Sequence, residues 1–174
     1  MLQNNLKQAN FPKPNCNNAM KNASARNIWG DYLDKHLEYA FTDEPKVTHL
    51  RDNEEDANRL LKLVLAGKKR AISHSLLGLQ YRKEALPKIG DFTILTDWDG
   101  NAKCIVRTVA VRLKPFFAIR SSYAKLEGEK NGSLEHWKEV HWEYYTKELE
   151  GFGRVPRDSM IVVCEVFEKV FQRS

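Results

Sequence analysis

Apolar positions first recur at helical spacing near the N-terminus. Ile28, Tyr32, Leu33 and Leu37 share a stripe that predicts a helix over about 24–40, capped by Ser24 or Asn27. Pro45 separates it from a stronger helical signal. There Asp52 or Asn53 precedes an acidic first turn (Glu54, Glu55, Asp56), and Ala57, Leu60, Leu61 and Val64 form an i, i+3, i+4, i+7 stripe that ends at Gly67. The period then changes to two. A short strand is expected over 69–75, followed by an irregular stretch to Pro87. Over 91–97, Phe92, Ile94 and Thr96 alternate with Thr93 and Leu95. Asp99-Gly100-Asn101 has turn composition, so a second strand over 102–113 should complete a hairpin, with Cys104, Val106, Thr108 and Ala110 on one face. Ser133 caps a last helix carrying Leu134, Trp137, His141, Tyr144 and Tyr145, and a Val- and Phe-rich run over 160–171 is strongly β-prone. Helices, a central hairpin, a helix and a closing strand predict an α+β fold, with a small curled sheet or barrel flanked by helices.

Length and composition narrow the class. The chain has 174 residues, 42% hydrophobic and 29% charged, which suits one globular domain that needs no staples. Residues 1–23 are Asn-rich and polar, with Pro12 and Pro14, and are expected to form a flexible tail on a single domain spanning 24–174. No apolar run approaches the ~20 residues of a membrane span, and no signal-peptide pattern opens the chain, so a cytoplasmic location without membrane contact is expected. Cys16, Cys104 and Cys164 are odd in number and lack a C-x-x-C pair, which argues against a disulfide framework.

The net charge of +5 is unevenly placed. Lys68, Lys69, Arg70, Arg82 and Lys83 lie within 67–83 without an acid, and six more basic residues lie within 103–125, Arg107 and Arg112 among them. If the two stretches converge they make a positive face suited to phosphate; otherwise they are solvated charge. No metal or other cofactor is expected. His136 and His141 stand five residues apart, about 140° around a helix, which is not a zinc-hydrolase spacing. Cys104 and Cys164 fall within strands as small buried hydrophobes, not activated thiols.

Two segments hold candidate chemistry. Lys69 follows the Gly67 helix stop and precedes a run with the hydroxyls Ser73 and Ser75. It is either an ordinary C-terminal helix cation or a base turned into a pocket. Glu127-Gly128-Glu129 is either a solvated acidic turn or an acid–base partner for Lys69. Tyr81 and Trp98 are aromatic faces on which a base could stack, whereas Trp137, Tyr144 and Tyr145 read as core.

The chain from about Asp56 to Phe171 resembles the ASCH domain family in its longer bacterial form. The matching pieces stand in order: Leu65-Ala66-Gly67-Lys68-Lys69, Leu86-Pro87-Lys88-Ile89-Gly90-Asp91, Asp97 with Gly100, Cys104-Ile105, Glu127-Gly128-Glu129 with Ser133-Leu134, Trp137, His141, and Val163-Cys164-Glu165 with Phe167. The resemblance implies a PUA-like β-barrel and binding of RNA or of a nucleoside or nucleotide. Some family members resemble ribonucleases, and a shorter branch hydrolyses N4-acetylcytidine with a Lys, a Thr three residues later and a Glu. Lys69 and Glu127 occupy two of those positions, but Ile72 stands at the third and Arg70 replaces a small polar residue. Three functions follow: an RNA- or nucleotide-binding protein that cleaves RNA without metal, an amidohydrolase of N4-acylated cytidine, or a non-catalytic RNA-binding module. Catalysis would rest on Lys69 and Glu127, with Ser73 or Ser75 as a replacement nucleophile, and RNA binding on Lys68, Arg70, Tyr81, Trp98, Arg107 and Arg112. Strand alternation sets Ser73 on the face opposite Ile72.

Overall fold

A computed structural model describes residues 21–130 and 132–173. Most of the expected tail, with Cys16, lies outside the described residues.

The first helix, α1, spans Ala23–Leu33 and is capped by Asn22, whose side chain accepts the Ala25 N–H. It buries Ile28 and Tyr32, as the stripe requires, but ends seven residues before the expected end at residue 40. The chain turns at Asp34 into a short 3-10 helix, Leu37–Tyr39, and Leu37 is left exposed. Strand β1, Lys46–Thr48, follows. Helix α2, Glu54–Leu65, matches expectation: Asn53 caps it, and Ala57, Leu60, Leu61 and Val64 are its buried stripe.

Strand β2 covers Ala71–Ser75. The stretch expected to be irregular instead holds α3, Leu76–Arg82, because the Ser75 hydroxyl accepts the Gly78 N–H and starts a helix directly from the strand. Strands β3, Phe92–Thr96, and β4, Ala102–Pro115, form the expected hairpin. Helices α4, Ser121–Glu127, and α5, Leu134–Glu150, precede the closing strand β5, Ile161–Gln172.

The five strands make one sheet in the order β1-β3-β4-β5-β2. β1 runs parallel to β3 and every other pairing is antiparallel. The mixed sheet curls into a half-barrel flanked by five α-helices among the described residues. Alternation sorts its side chains among three apolar clusters. Phe92, Ile94 and Ile105 pack on α1, and Leu95, Cys104, Val106 and Phe167 pack on α2. Both faces of the hairpin are therefore covered. Val162 and Cys164 of β5 pack with Trp137, Tyr145 and Leu149 of α5. A register shift between Thr108 and Ala110 interrupts the row of Cys104, Val106, Thr108 and Ala110 expected on one face of β4. Among the described residues, no helix is long and apolar enough to cross a membrane.

Candidate functional site

The buried residues of the segment around β2 lie two apart. Lys69, Ala71, Ser73 and Ser75 all turn inward toward α4 and α5, while Lys68 and Arg70 are exposed. Lys69 is 2% exposed and is placed by the end of α2, where its backbone N–H bonds the Leu63 carbonyl. Glu127, the last residue of α4, is 1% exposed and faces it. The two segments meet closely because residue 128 is glycine: φ is +68°, and a Cβ there would stand 2.3 Å from the Lys68 carbonyl oxygen. The Arg70 N–H donates to Leu126 O at 2.7 Å and fixes the same contact.

Every polar atom of the Glu127 carboxylate is engaged. Lys69 Nζ donates to Oε2 at 2.6 Å. Ser73 Oγ donates to Oε1 at 2.5 Å, and the Trp137 indole Nε1–H donates to the same oxygen at 3.2 Å. His141 Nε2 lies 3.4 Å from Oε1, its ring anchored where Nδ1–H donates to Trp137 O at 2.9 Å. Tyr123 donates to Ile72 O at 2.8 Å and sits 3.2 Å from Ser73 Oγ. Burial works against the ionised form of Glu127, but the Lys69 ammonium and the His141 ring outweigh it and hold the carboxyl well below its ordinary range. Burial, reinforced by the Glu127 charge, pushes Tyr123 upward, so its phenol stays neutral. Glu129 is also buried, 3.6 Å from Lys69 Nζ. Glu127-Gly128-Glu129 is thus an enclosed acid pair and not a solvated turn.

Beside the cluster is a cleft lined by Glu129, Ser133, His136, Trp137 and His141. Its volume is about 10 Å³, enough for one water. A larger ligand must displace side chains to reach Lys69.

The structure brings Lys69, Ser73 and Glu127 together. Ser75 faces inward as well, but its hydroxyl is committed to the α3 cap. Arg112 is exposed, and through Cys164 it stands in register with Ser73 two strands away. The remaining candidates make their contacts elsewhere. The Tyr81 ring stacks on Phe152 and its hydroxyl accepts from Arg154. Trp98 lies against the His49 ring, and the Arg107 guanidinium lies over Tyr39 and Phe92. Cys104 and Cys164 are buried thiols, each pushed up to about 11 by burial. No group of three or more His, Cys, Asp or Glu among the described residues could hold a metal ion.

From sequence Trp137 reads as core and His141 as a poor ligand partner of His136, although both stand among the residues that carry the family resemblance. Counted from Trp137, His141 is four residues on, and that spacing puts both on the α5 face that meets Glu127. Arg51 and Arg59, which approach Glu129, carried no signal because their contact spans 70 or more residues.

A curled mixed sheet with a lysine–glutamate pair enclosed between its β2 edge and two helices defines a PUA-like fold with a polar site at its side. The model of the ASCH domain matches residues 46–171, and this chain belongs to that family. Among solved structures it is similar to an ASCH domain from Lactobacillus crispatus JV V101, at 25% identity and a TM-score of 0.78, over 86% of this chain and 95% of that one. It is also similar to protein EF3133 from Enterococcus faecalis V583, at 32% identity and a TM-score of 0.77, over 87% of this chain and 89% of that one. No curated protein matches it. Helix α1 precedes the matched residues and packs on the sheet through Ile28 and Tyr32. The ASCH fold is RNA-binding-like in general, which suits nucleic acid as a partner.

Proposed function

We propose that this protein binds RNA or nucleotides and cleaves RNA without a metal ion, with Lys69 and Glu127 as the catalytic pair. The reading places it in the cytoplasm and treats residues 24–174 as one ASCH-like domain with α1 added. The observation that carries it is the 2.6 Å contact between the Lys69 ammonium and the Glu127 carboxylate, both out of water beside a cleft. Removing an ion pair from water costs several kcal/mol per ion, so such a pair is a poor device for stability alone. A strongly shifted carboxyl with a specific partner at a cleft is a functional candidate.

In this reading Lys69 draws a phosphodiester into the site. The incoming negative charge raises the proton affinity of Glu127, which takes the proton of the adjacent 2′-hydroxyl. The 2′-oxygen bonds to phosphorus, the bond from phosphorus to the 5′-oxygen breaks, and Lys69 supplies that oxygen with a proton. Return of the proton from Glu127 to Lys69 restores the pair. The products are a 2′,3′-cyclic phosphate and a 5′-hydroxyl end. Because Glu127 is held ionised at rest, it enters as acceptor and Lys69 as donor.

One observation favours the amidohydrolase reading: the 2.5 Å hydrogen bond from Ser73 Oγ to Glu127. Sequence parity set Ser73 opposite Ile72, and that is the very face that carries Lys69. In this reading Ser73 attacks the acyl carbon, its proton passes to Glu127 and then to the leaving amine, and water releases the acyl group.

Ser73→Ala separates the two. RNA cleavage should keep rates within about tenfold of wild type, because no step uses the hydroxyl as nucleophile. Deacylation of N4-acetylcytidine through Ser73 would instead fall by at least about 10³-fold. Loss of RNA cleavage in this variant, with its melting curve unchanged, would contradict the assignment of Lys69 and Glu127 as a sufficient pair.

A further inference from the structure

Three cations converge on Glu129, and none holds it tightly. Its side chain is 9% exposed, and Oε1 is buried without a hydrogen bond. Arg51 Nη2 and Lys69 Nζ each stand 3.6 Å from Oε1, and Arg59 Nη2 stands 3.4 Å from Oε2. Charge-assisted hydrogen bonds close to about 2.7–2.9 Å, so the carboxylate is small for the space the cations enclose. A tetrahedral oxyanion offers more acceptor oxygens and could contact all three at once.

The arginines are held in place independently of Glu129. Arg51 has φ +66°, in the left-handed region that few non-glycine residues adopt. His49 Nδ1–H donates to its carbonyl at 2.8 Å, and its guanidinium lies 4.9 Å over the Tyr144 ring. The Arg51 side chain is 15% exposed and donates no hydrogen bond to any described residue. Arg59 is aimed by Asp56, which accepts from it at 2.6 and 3.2 Å. With Glu129 swung away, Arg51, Arg59 and Lys69 face Asp56 and Glu127, and a positive charge remains.

We propose that Arg51, Arg59 and Lys69 form a socket for a phosphate of the RNA or nucleotide, and that Glu129 fills this socket at rest and leaves it when the phosphate enters. The inference rests on the RNA-binding reading above and adds the residues that hold the anion. It also explains how a cleft of water size admits a substrate, since Glu129 is one of its walls.

The test is titration of the full chain with a labelled 2′-O-methyl hexanucleotide, which has no free 2′-hydroxyl to react, and separately with inorganic phosphate. Glu129→Gln, which keeps the shape and removes the competing charge, should bind both about tenfold more tightly. Arg51→Ala should bind both about tenfold more weakly, with the salt dependence of oligonucleotide binding reduced by about one unit of slope. Arg51→Lys should recover part of the loss and guards against a folding defect. Phosphate that binds alike in all variants, or oligonucleotide binding indifferent to Arg51 and Glu129, would overturn the socket and leave RNA binding standing. Absence of oligonucleotide binding by the wild type would overturn both.

Discussion

Replacing Lys69 with alanine should cost about 3–5 kcal/mol of stability, which is a large share of the roughly 5–15 kcal/mol that holds a typical domain together. The cause is the charge left behind. Glu127 is 1% exposed and would keep its Ser73 and Trp137 hydrogen bonds but lose its ammonium partner. Removing both charges at once should be milder. In Lys69→Met with Glu127→Leu neither charge of the pair is left without its partner, and most of the loss should return. Part of it stays lost, because the Trp137 N–H and the Ser73 hydroxyl are then without their acceptor. Urea midpoints of the two variants measure the difference. A Lys69→Ala variant within about 1 kcal/mol of wild type would mean that water reaches the pair.

Acid should act through the same carboxylate. Glu127 has an ordinary value of 4.5 and is held well below it in the folded protein. A group lowered by folding contributes stability that is fully present above its unfolded value and is lost as pH falls toward its folded one. Glu127 should therefore add no pH dependence to stability near neutral pH. Below 4.5 this one group should add up to about 1.4 kcal/mol of loss per pH unit. Glu165 contributes with the same sign: burial opposes its charge, but hydrogen bonds from His74 and Thr108 lower it overall. The comparison that isolates Glu127 is the Lys69→Met, Glu127→Leu variant, whose unfolding free energy should fall less steeply between pH 5 and pH 3. Parallel curves for the two proteins would contradict a lowered carboxyl at Glu127.

What was legible in the sequence follows physical range. Helix α2 could be read because its stripe, its acidic first turn and its Asn53 cap are all local. The β3–β4 hairpin could be read from its turn, and α5 from Ser133. Strand β1 is three residues long and exists through its parallel partner β3, more than 40 residues away, so no alternation could announce it. Helix α3 was hidden by its own cap. Ser75 reads as the end of a strand, and only in the fold does its hydroxyl accept from Gly78. Leu37 continued the α1 stripe on paper, but the helix had already ended at Leu33.

The site divides the same way. Lys69 and Glu127 stood out within their own segments, after the Gly67 helix stop and in the Glu127-Gly128-Glu129 turn, and family resemblance favoured their pairing, since nothing local links residues 58 apart. Ser73 was legible by counting from Lys69: four residues along alternating backbone return a side chain to the same face, where counting from Ile72 set it apart. The Arg51–Glu129–Arg59 contacts were beyond reach because they join three segments that only the folded chain brings together. Aromatic or basic character placed Tyr81, Trp98 and Arg107 among RNA contacts, and the fold adds a protein partner for each that no local signal announced.

The most direct test of the proposed function is mass spectrometry of a short single-stranded RNA and of N4-acetylcytidine after incubation with the wild-type protein in a metal chelator. RNA fragments ending in a 2′,3′-cyclic phosphate, absent with Glu127→Gln and with the nucleoside unchanged, are the result the Lys69–Glu127 mechanism predicts. Intact RNA, whether or not the nucleoside loses its acetyl group, would contradict it.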